Sequence, residues 1–324
     1  MILLTTSNRQ PTTNRHWHCL SLALLLCLAS CAGQSGTEGG APNLDERFWQ
    51  SVEQADVIYV GETHDDSADH QRELDLVRGL LNRRVKFAIG WEMFDTTQQA
   101  AMDAWASHAI PLAKLLAETD FQKYWGIYSP AYQQILRVAG KAGLPNLALN
   151  APPELPHKVA RGESLTVKER AMIPVGFTAT EAGYRNFVAM MGGHPGMNEA
   201  DLRHFFAAQN IWDQTMASRI LQFKARNPKI LLVVLTGRGH VSNGFGIPFY
   251  VRQKANLKQI IWQHRGDRTN DPMRLQRPLD RFVPTVFQSP GNLLLQMVPR
   301  TGNQRPVLWP CFANRPLNSS APGV

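Results

Sequence analysis

Cysteine is scarce in this chain: four occur in 324 residues, at positions 19, 27, 31 and 311. Acid is missing altogether from the first 37 positions. No apolar run is long enough to span a bilayer as a helix; the strongest, LSLALLLCLAS at 20–30, holds 11 residues, about half of what a crossing needs. Dense basic tracts interleaved with aromatics are missing too. Arg83, Arg84, Lys86, Arg252, Lys254 and Lys258 are scattered, so nothing here is the footprint of a nucleic-acid binder.

These shortages fit together. An 11-residue apolar core behind Arg9 and Arg15, with no acid ahead of it, has the make-up of a signal peptide. It closes on Leu28-Ala29-Ser30-Cys31, a pattern like the bacterial lipobox, in which Cys31 is lipidated and becomes the new N-terminus. The alternative is an ordinary cleaved signal that happens to hold a cysteine. Ala32, rather than Asp, follows the cysteine, which points to the outer membrane. With Cys19 and Cys27 discarded and Cys31 acylated, Cys311 stands alone, so no intramolecular disulfide and no Cys-ligated zinc or iron–sulfur centre is available. Net charge is +8 for the whole chain, and the surplus favours anionic lipid or an anionic ligand.

The expected organisation is a lipoprotein signal peptide over 1–30, a flexible tether over 31–43, a folded domain over 44–265 and a Pro-rich, partly disordered extension over 266–324. With 44% hydrophobic residues over the whole chain, there is enough apolar material for a buried core. Within it, four short runs are apolar almost throughout: 56–62, 86–92, 145–151 and 229–237. Continuous rather than alternating hydrophobicity predicts strands buried on both faces. Helical patterns lie between them at 67–83, 96–107, 130–142 and 179–225, and 257–263 reads as a fifth strand. The fold class is therefore α/β: a mostly parallel sheet flanked by helices, with a helical insertion subdomain at about 153–227.

Each apolar run ends on a side chain with chemistry. VIYVGETH delivers Glu62 and His64, the second run Glu92, the third Asn150, and VVLTGRGH delivers His240. In parallel sheets, ligands gather beyond the carboxyl ends of the strands. Glu62, His64, Glu92 and His240 would suit a divalent metal. With an open position, such a site activates water, one of Glu62 and Glu92 acting as catalytic base. Asp65, Asp69 or His70 could orient a ligating histidine, with Asn150 nearby. Gly61, Gly237 and Gly239 would allow sharp turns or close approach to a ligand. The competing reading is that the glutamates cap backbone amides and the histidines sit in a polar crevice.

Taken together, GETHDDSADHQ, WEMF, LALNAP, AAQNIWDQTMA and LTGRGHVSNGFGIP resemble the ChaN-like family of iron-regulated, haem-binding bacterial lipoproteins, over roughly residues 45–265. That family is related to the Tiki and TraB group, whose hallmark of paired GxxH motifs with a glutamate corresponds here to Gly61–His64, Gly237–His240 and Glu92. The resemblance implies haem as cofactor and partner, a tyrosine ligand to its iron, and a place in iron acquisition. It further implies contact with an outer-membrane haem receptor. Tyr184 with His194 nearby is the first choice of ligand, and Tyr128 the second. Tyr184, Phe187, Val188 and Met191 form an apolar stripe at helical spacing, which is also what a core helix shows. Haem on an exposed helical face would favour a homodimer that shields it. Two functions stay open: a lipid-anchored haem binder, and a metal-dependent hydrolase at the strand ends.

Overall fold

The computed structural model describes residues 44–126, 128–192, 197–263 and 274–276. The signal peptide, Cys31, the tether, His194, Cys311, a further strand expected at 292–298 and all of the extension but 274–276 lie outside the described residues.

Helix α1 (Glu46–Glu53) opens the fold, its first turn closed by the Asp45 carboxylate accepting from the Phe48 amide. Then come β1 (Val57–Glu62), α2 (Ser67–Asn82) and β2 (Phe87–Asp95). Helices α3 (Gln99–Ala106), α4 (Leu112–Glu118), α5 (Phe121–Tyr124) and α6 (Pro130–Lys141) lead to β3 (Asn146–Asn150). Four more helices, α7 (Glu154–Ala160), α8 (Val167–Arg170), α9 (Glu181–Met190) and α10 (Glu199–Arg226), precede β4 (Leu231–Gly237). The described chain ends with α11 (Ile247–Arg252), β5 (Gln259–Gln263) and β6 (Arg274–Gln276).

All four apolar runs and the fifth candidate are strands. They pair in parallel in the order β3-β2-β4-β1-β5, and β6 joins the edge antiparallel to β5. Every residue of β1 and β4 is buried, which is why neither run alternates.

Two cores sandwich the sheet. On one face Ile58, Val60, Ile89, Leu235 and Trp262 pack with side chains of α1, α2 and α3–α6. On the other, Val57, Tyr59, Leu232 and Val234 pack with α7, α10 and α11. The chain builds outward from β1 to β3 with its helices on the first face, then reverses and returns through β4 to β5 with its helices on the second. Because β1 and β4 are neighbours whose outgoing chains leave toward opposite faces, a crevice opens at their carboxyl ends.

The helical insertion comprises α7–α10. Its last helix is also the crossover cover: Met216, Ala217 and Ile220 are fully buried against the sheet. Met216 thus belongs to the core and does not join Met190 and Met191, which are only partly buried on and just beyond α9. Among the described residues no helix is long and apolar enough to cross a membrane.

Candidate functional site

Glu62 is the last residue of β1, and His64 follows two residues on. Glu92 lies in β2 just where the β2–β3 register shifts, between Trp91 and Asp95. His240 ends a single 3₁₀ turn directly after β4. Strand order brings these four side chains into the crevice, and none is more than 9% exposed.

They are held by one continuous network. His64 Nδ1 donates to Glu62 Oε1 at 2.7 Å, and its Nε2 faces Glu92 Oε1 at 3.9 Å. His240 Nε2 faces the same Glu92 oxygen at 3.2 Å, while its Nδ1 donates to Asp213 Oδ1 at 2.5 Å. The other Glu92 oxygen accepts from the Thr236 hydroxyl and the Gly237 amide, both at 2.6 Å. Gln209 Nε2 braces Asp213 at 3.3 Å. The Tyr132 hydroxyl donates to Glu62 Oε1, and His70 stacks on the Tyr132 ring with centroids 4.1 Å apart. The Trp125 ring meets His64 edge-on at 4.8 Å. A methyl group at Gly237 would stand 2.5 Å from His64 Nε2, so this glycine is needed for close approach by the imidazole rather than by a ligand.

Burial and pairing set the protonation states. Burial alone would raise the Glu92 carboxyl, but the charge and hydrogen bond of His240, with His64, outweigh it and hold the group at about 2. Burial would lower His240, yet Glu92 and Asp213 drive it up to about 10, so it stands as an imidazolium between two carboxyl groups. His64 is raised, its loss of solvent outweighed by Glu62 and Glu92. Asp213 is raised by burial despite His240. Glu73, fully buried on α2, is pushed well up by burial and then by the Glu62 charge, so its carboxyl tends to keep its proton. Glu62 itself is held down by His64 against its burial.

This arrangement handles protons well, and around Glu62 it leaves buried polar atoms without hydrogen-bond partners: Glu62 Oε2, both ring nitrogens of His70 and both carboxyl oxygens of Glu73. Among the described residues, no group of three or more His, Cys, Asp or Glu side chains has the spacing of a metal site. The divalent metal expected at Glu62, His64, Glu92 and His240 therefore finds no support. The reason is local: three contacts engage Glu92, and both Nδ1 atoms are committed to carboxylates. The capping expectation holds in part, since Glu92 does accept from a backbone amide.

Of the supporting residues expected, His70 is brought in, 3.5 Å from Glu62 Oε2. Asp65 and Asn150 are not: Asp65 is exposed, and the Asn150 side chain accepts from the neighbouring Ala151 amide. Asp69 accepts from the Thr63 amide at 2.9 Å and so shapes the turn that carries His64. Asp213, Gln209, Glu73, Tyr132 and Trp125 were not anticipated. The available signals were charged residues at inward helical positions: Glu73 one turn after His70, and Gln209 and Asp213 four apart on an otherwise apolar face of α10.

Of the haem-ligand candidates, Tyr184 and Tyr128 are among the described residues. Tyr184 on α9 is 5% exposed, with the Arg203 guanidinium 3.5 Å over its ring and Phe206 at its side. Burial, then Glu199, raises its hydroxyl, which opposes phenolate formation. Tyr128 is half-buried against Phe121, and burial raises it too.

Residues 48–251 match the family described as haem-binding uptake, Tiki superfamily, ChaN. Among solved structures, the chain is similar to ChaN of Campylobacter jejuni, described as showing cofacial haem binding. The two are 19% identical, the match covers 71% of this chain and 89% of that one, and the TM-score is 0.55. At that identity the likeness is one of fold. An erythromycin esterase mutant in its open conformation is similar at 12% identity over 74% of this chain and 80% of that one, with a TM-score of 0.42. No curated protein matches the sequence. Fold, strand-end motifs and a match over most of the folded domain agree: the chain belongs to the ChaN family of haem-binding uptake proteins in the Tiki superfamily.

Proposed function

We propose that this protein is a lipid-anchored protein of the bacterial envelope that binds haem in the course of haem or iron uptake. The family match over residues 48–251 carries that reading. The run at 20–30 ending in Cys31 supports acylation at Cys31, a tether over 31–43 and an outer-membrane address. Haem brings a ferric iron that accepts Tyr, His, Met or Cys as axial ligand. This chain's part is to supply one such donor, an apolar surface for the ring and cations for the propionates. Tyr184 does not meet that need as it stands, because Arg203 covers its ring. Tyr128, half-buried against Phe121, is the other tyrosine expected to serve. A second copy covering the exposed haem plane, and a receptor handing haem over, belong to the same proposal.

The test is a visible absorption titration of the full-length protein with ferric haem. A saturable spectral shift near one equivalent supports the reading; a shift that never saturates removes it.

One observation favours a second reading, a hydrolytic site: two histidines converge on one carboxylate at the strand ends. His64, with 9% exposure, is the more accessible of the two, and one of Glu62 and Glu92, which it faces, would serve as base there. His64→Ala should abolish ester or peptide hydrolysis and leave haem binding intact; absence of any hydrolysis by the wild type ends this reading.

A further inference from the structure

On its crevice side the strand-end network closes on itself, but on the side facing α2 it does not. Glu62 Oε2, both ring nitrogens of His70 and both carboxyl oxygens of Glu73 are buried with no hydrogen-bond partner among the described residues. None of these three residues is more than 1% exposed. Native interiors leave few such atoms unpaired, and a group of them on neighbouring residues calls for something that satisfies them together.

Helix α2 assembles this cluster. Asp66 caps the helix by accepting from the Ala68 and Asp69 amides, and Asp69 in turn accepts from the Thr63 amide just past β1. With the first turn fixed in this way, His70 and Glu73, three residues apart, share the buried face of the helix. Tyr132 of α6 stacks on the His70 ring and gives its hydroxyl to Glu62 Oε1. That oxygen therefore has two donors, Tyr132 and His64. The other, Oε2, lies 3.5 Å from His70 Nε2, outside the range of a good hydrogen bond.

The chemistry of the unpaired atoms narrows the occupant. Glu62 Oε2 is an acceptor. The Glu73 carboxyl, pushed by burial to keep its proton, is both donor and acceptor. In every protonation state the His70 ring carries at least one N–H donor. A cation would serve the acceptors and leave that N–H opposed to it, and an anion would meet the Glu62 charge. No metal-site spacing occurs among the described residues either. Water both donates and accepts, and a buried water typically makes about three hydrogen bonds to groups that the protein leaves unpaired.

We propose that Glu62, His70 and Glu73 form a binding site for a buried water, which ties Glu62 Oε2 to α2 and thereby holds Oε1 on His64. His70 and Glu73 are then positioning residues, acting on His64 only through the water and Glu62.

The experiment is a crystal structure of the full-length protein, with anomalous data, beside Glu73→Gln, Glu73→Met and His70→Phe, and imidazole NMR spectra of all four. The wild type should show a water peak within hydrogen-bond distance of Glu62 Oε2, a His70 ring nitrogen and the Glu73 carboxyl, with no anomalous signal. Glu73→Gln keeps a donor and an acceptor, so it should retain the peak and the wild-type His64 Nδ1–H resonance. Glu73→Met, unbranched and without polar atoms at its end, should lose the peak and shift that resonance. His70→Phe can keep the stack on Tyr132 while removing both ring nitrogens, and should shift it too, which decides the matter if Glu73→Met does not fold. A peak with an anomalous signal makes the occupant a metal ion and overturns the proposal. Direct contact between the Glu62 and Glu73 carboxyls, with no peak between them, overturns it as well. A His64 resonance unchanged in both Glu73→Met and His70→Phe removes the positioning role.

Discussion

At the carboxyl ends of the strands, Glu62, His64, Glu92, Asp213 and His240 are buried and bonded to one another. On the α3–α6 layer, His108, Arg137 and Lys141 stand exposed, with no ionic partner among the described residues. Both regions gather imidazoles and charges, yet they do opposite things with them. In the crevice each charge cancels another in a low-dielectric setting, so the groups hold the loops at the sheet's switch point and deleting one strands the rest. On the α3–α6 layer the charges are solvated, so they add little to stability.

The largest break in that contrast should come from Glu92→Ala. It strips the partner from His240, the Thr236 hydroxyl and the Gly237 amide at once. A loss of about 3–5 kcal/mol is expected in urea denaturation, and a change below about 1 kcal/mol would show that the network contributes little net stability.

Stability should also depend on pH with a definite sign. Glu92 falls from 4.5 to about 2 on folding, so its contribution is present above pH 4.5 and lost as pH drops from there toward 2. His240 rises from 6.5 to about 10; its contribution is complete below pH 6.5 and disappears as pH climbs toward 10. Glu73 is raised by burial, so its contribution is complete below pH 4.5 and is lost progressively as pH rises from there, which pulls the maximum toward the acidic end of the window. The denaturation midpoint should peak between pH 4.5 and 6.5, and Glu92→Gln should flatten both flanks.

Gly237→Ala comes next. Its methyl group would meet the His64 ring at 2.5 Å, and the ring is tied to Glu62. About 1–3 kcal/mol of destabilisation is expected, with the His64 resonance in an NMR titration shifted from its raised position. Smallest in stability is Arg137→Glu, within about 0.5 kcal/mol of wild type. Equal losses of stability at Arg137 and Glu92 would erase the distinction between the two regions.

Much of the crevice was legible beforehand because its residues terminate runs whose apolar continuity marks them as buried parallel strands. Glu62 and His240 could be placed at or just past strand tips without knowing strand order, whereas Glu92, expected to end its strand, lies inside β2, which runs on to Asp95. Asp213 could not. It lies 24 residues before Gly237 in the sequence, inside the 28-residue α10, and only the packing of that helix across the sheet sets it against His240. Asp65 misled for the opposite reason. It stands one residue from His64, but the turn capped by Asp66 points it to solvent. Tyr184 was placed on an apolar helical stripe, and so it is; that the stripe faces Phe206 and lies beneath Arg203 was not in its spacing.

By itself the sequence determined the α/β class, the five parallel strands and the identity of the residues at their tips, because hydrophobic continuity and chain order are local properties. Tertiary structure alone decided that β4 lies between β1 and β2, and hence that His64 and His240 share Glu92. It also decided that His108 from the end of α3 meets Arg137 and Lys141 of α6 across a groove. Those relations join residues about 30 to 180 positions apart, and only long-range packing, with the loop-closure entropy it must overcome, can set them.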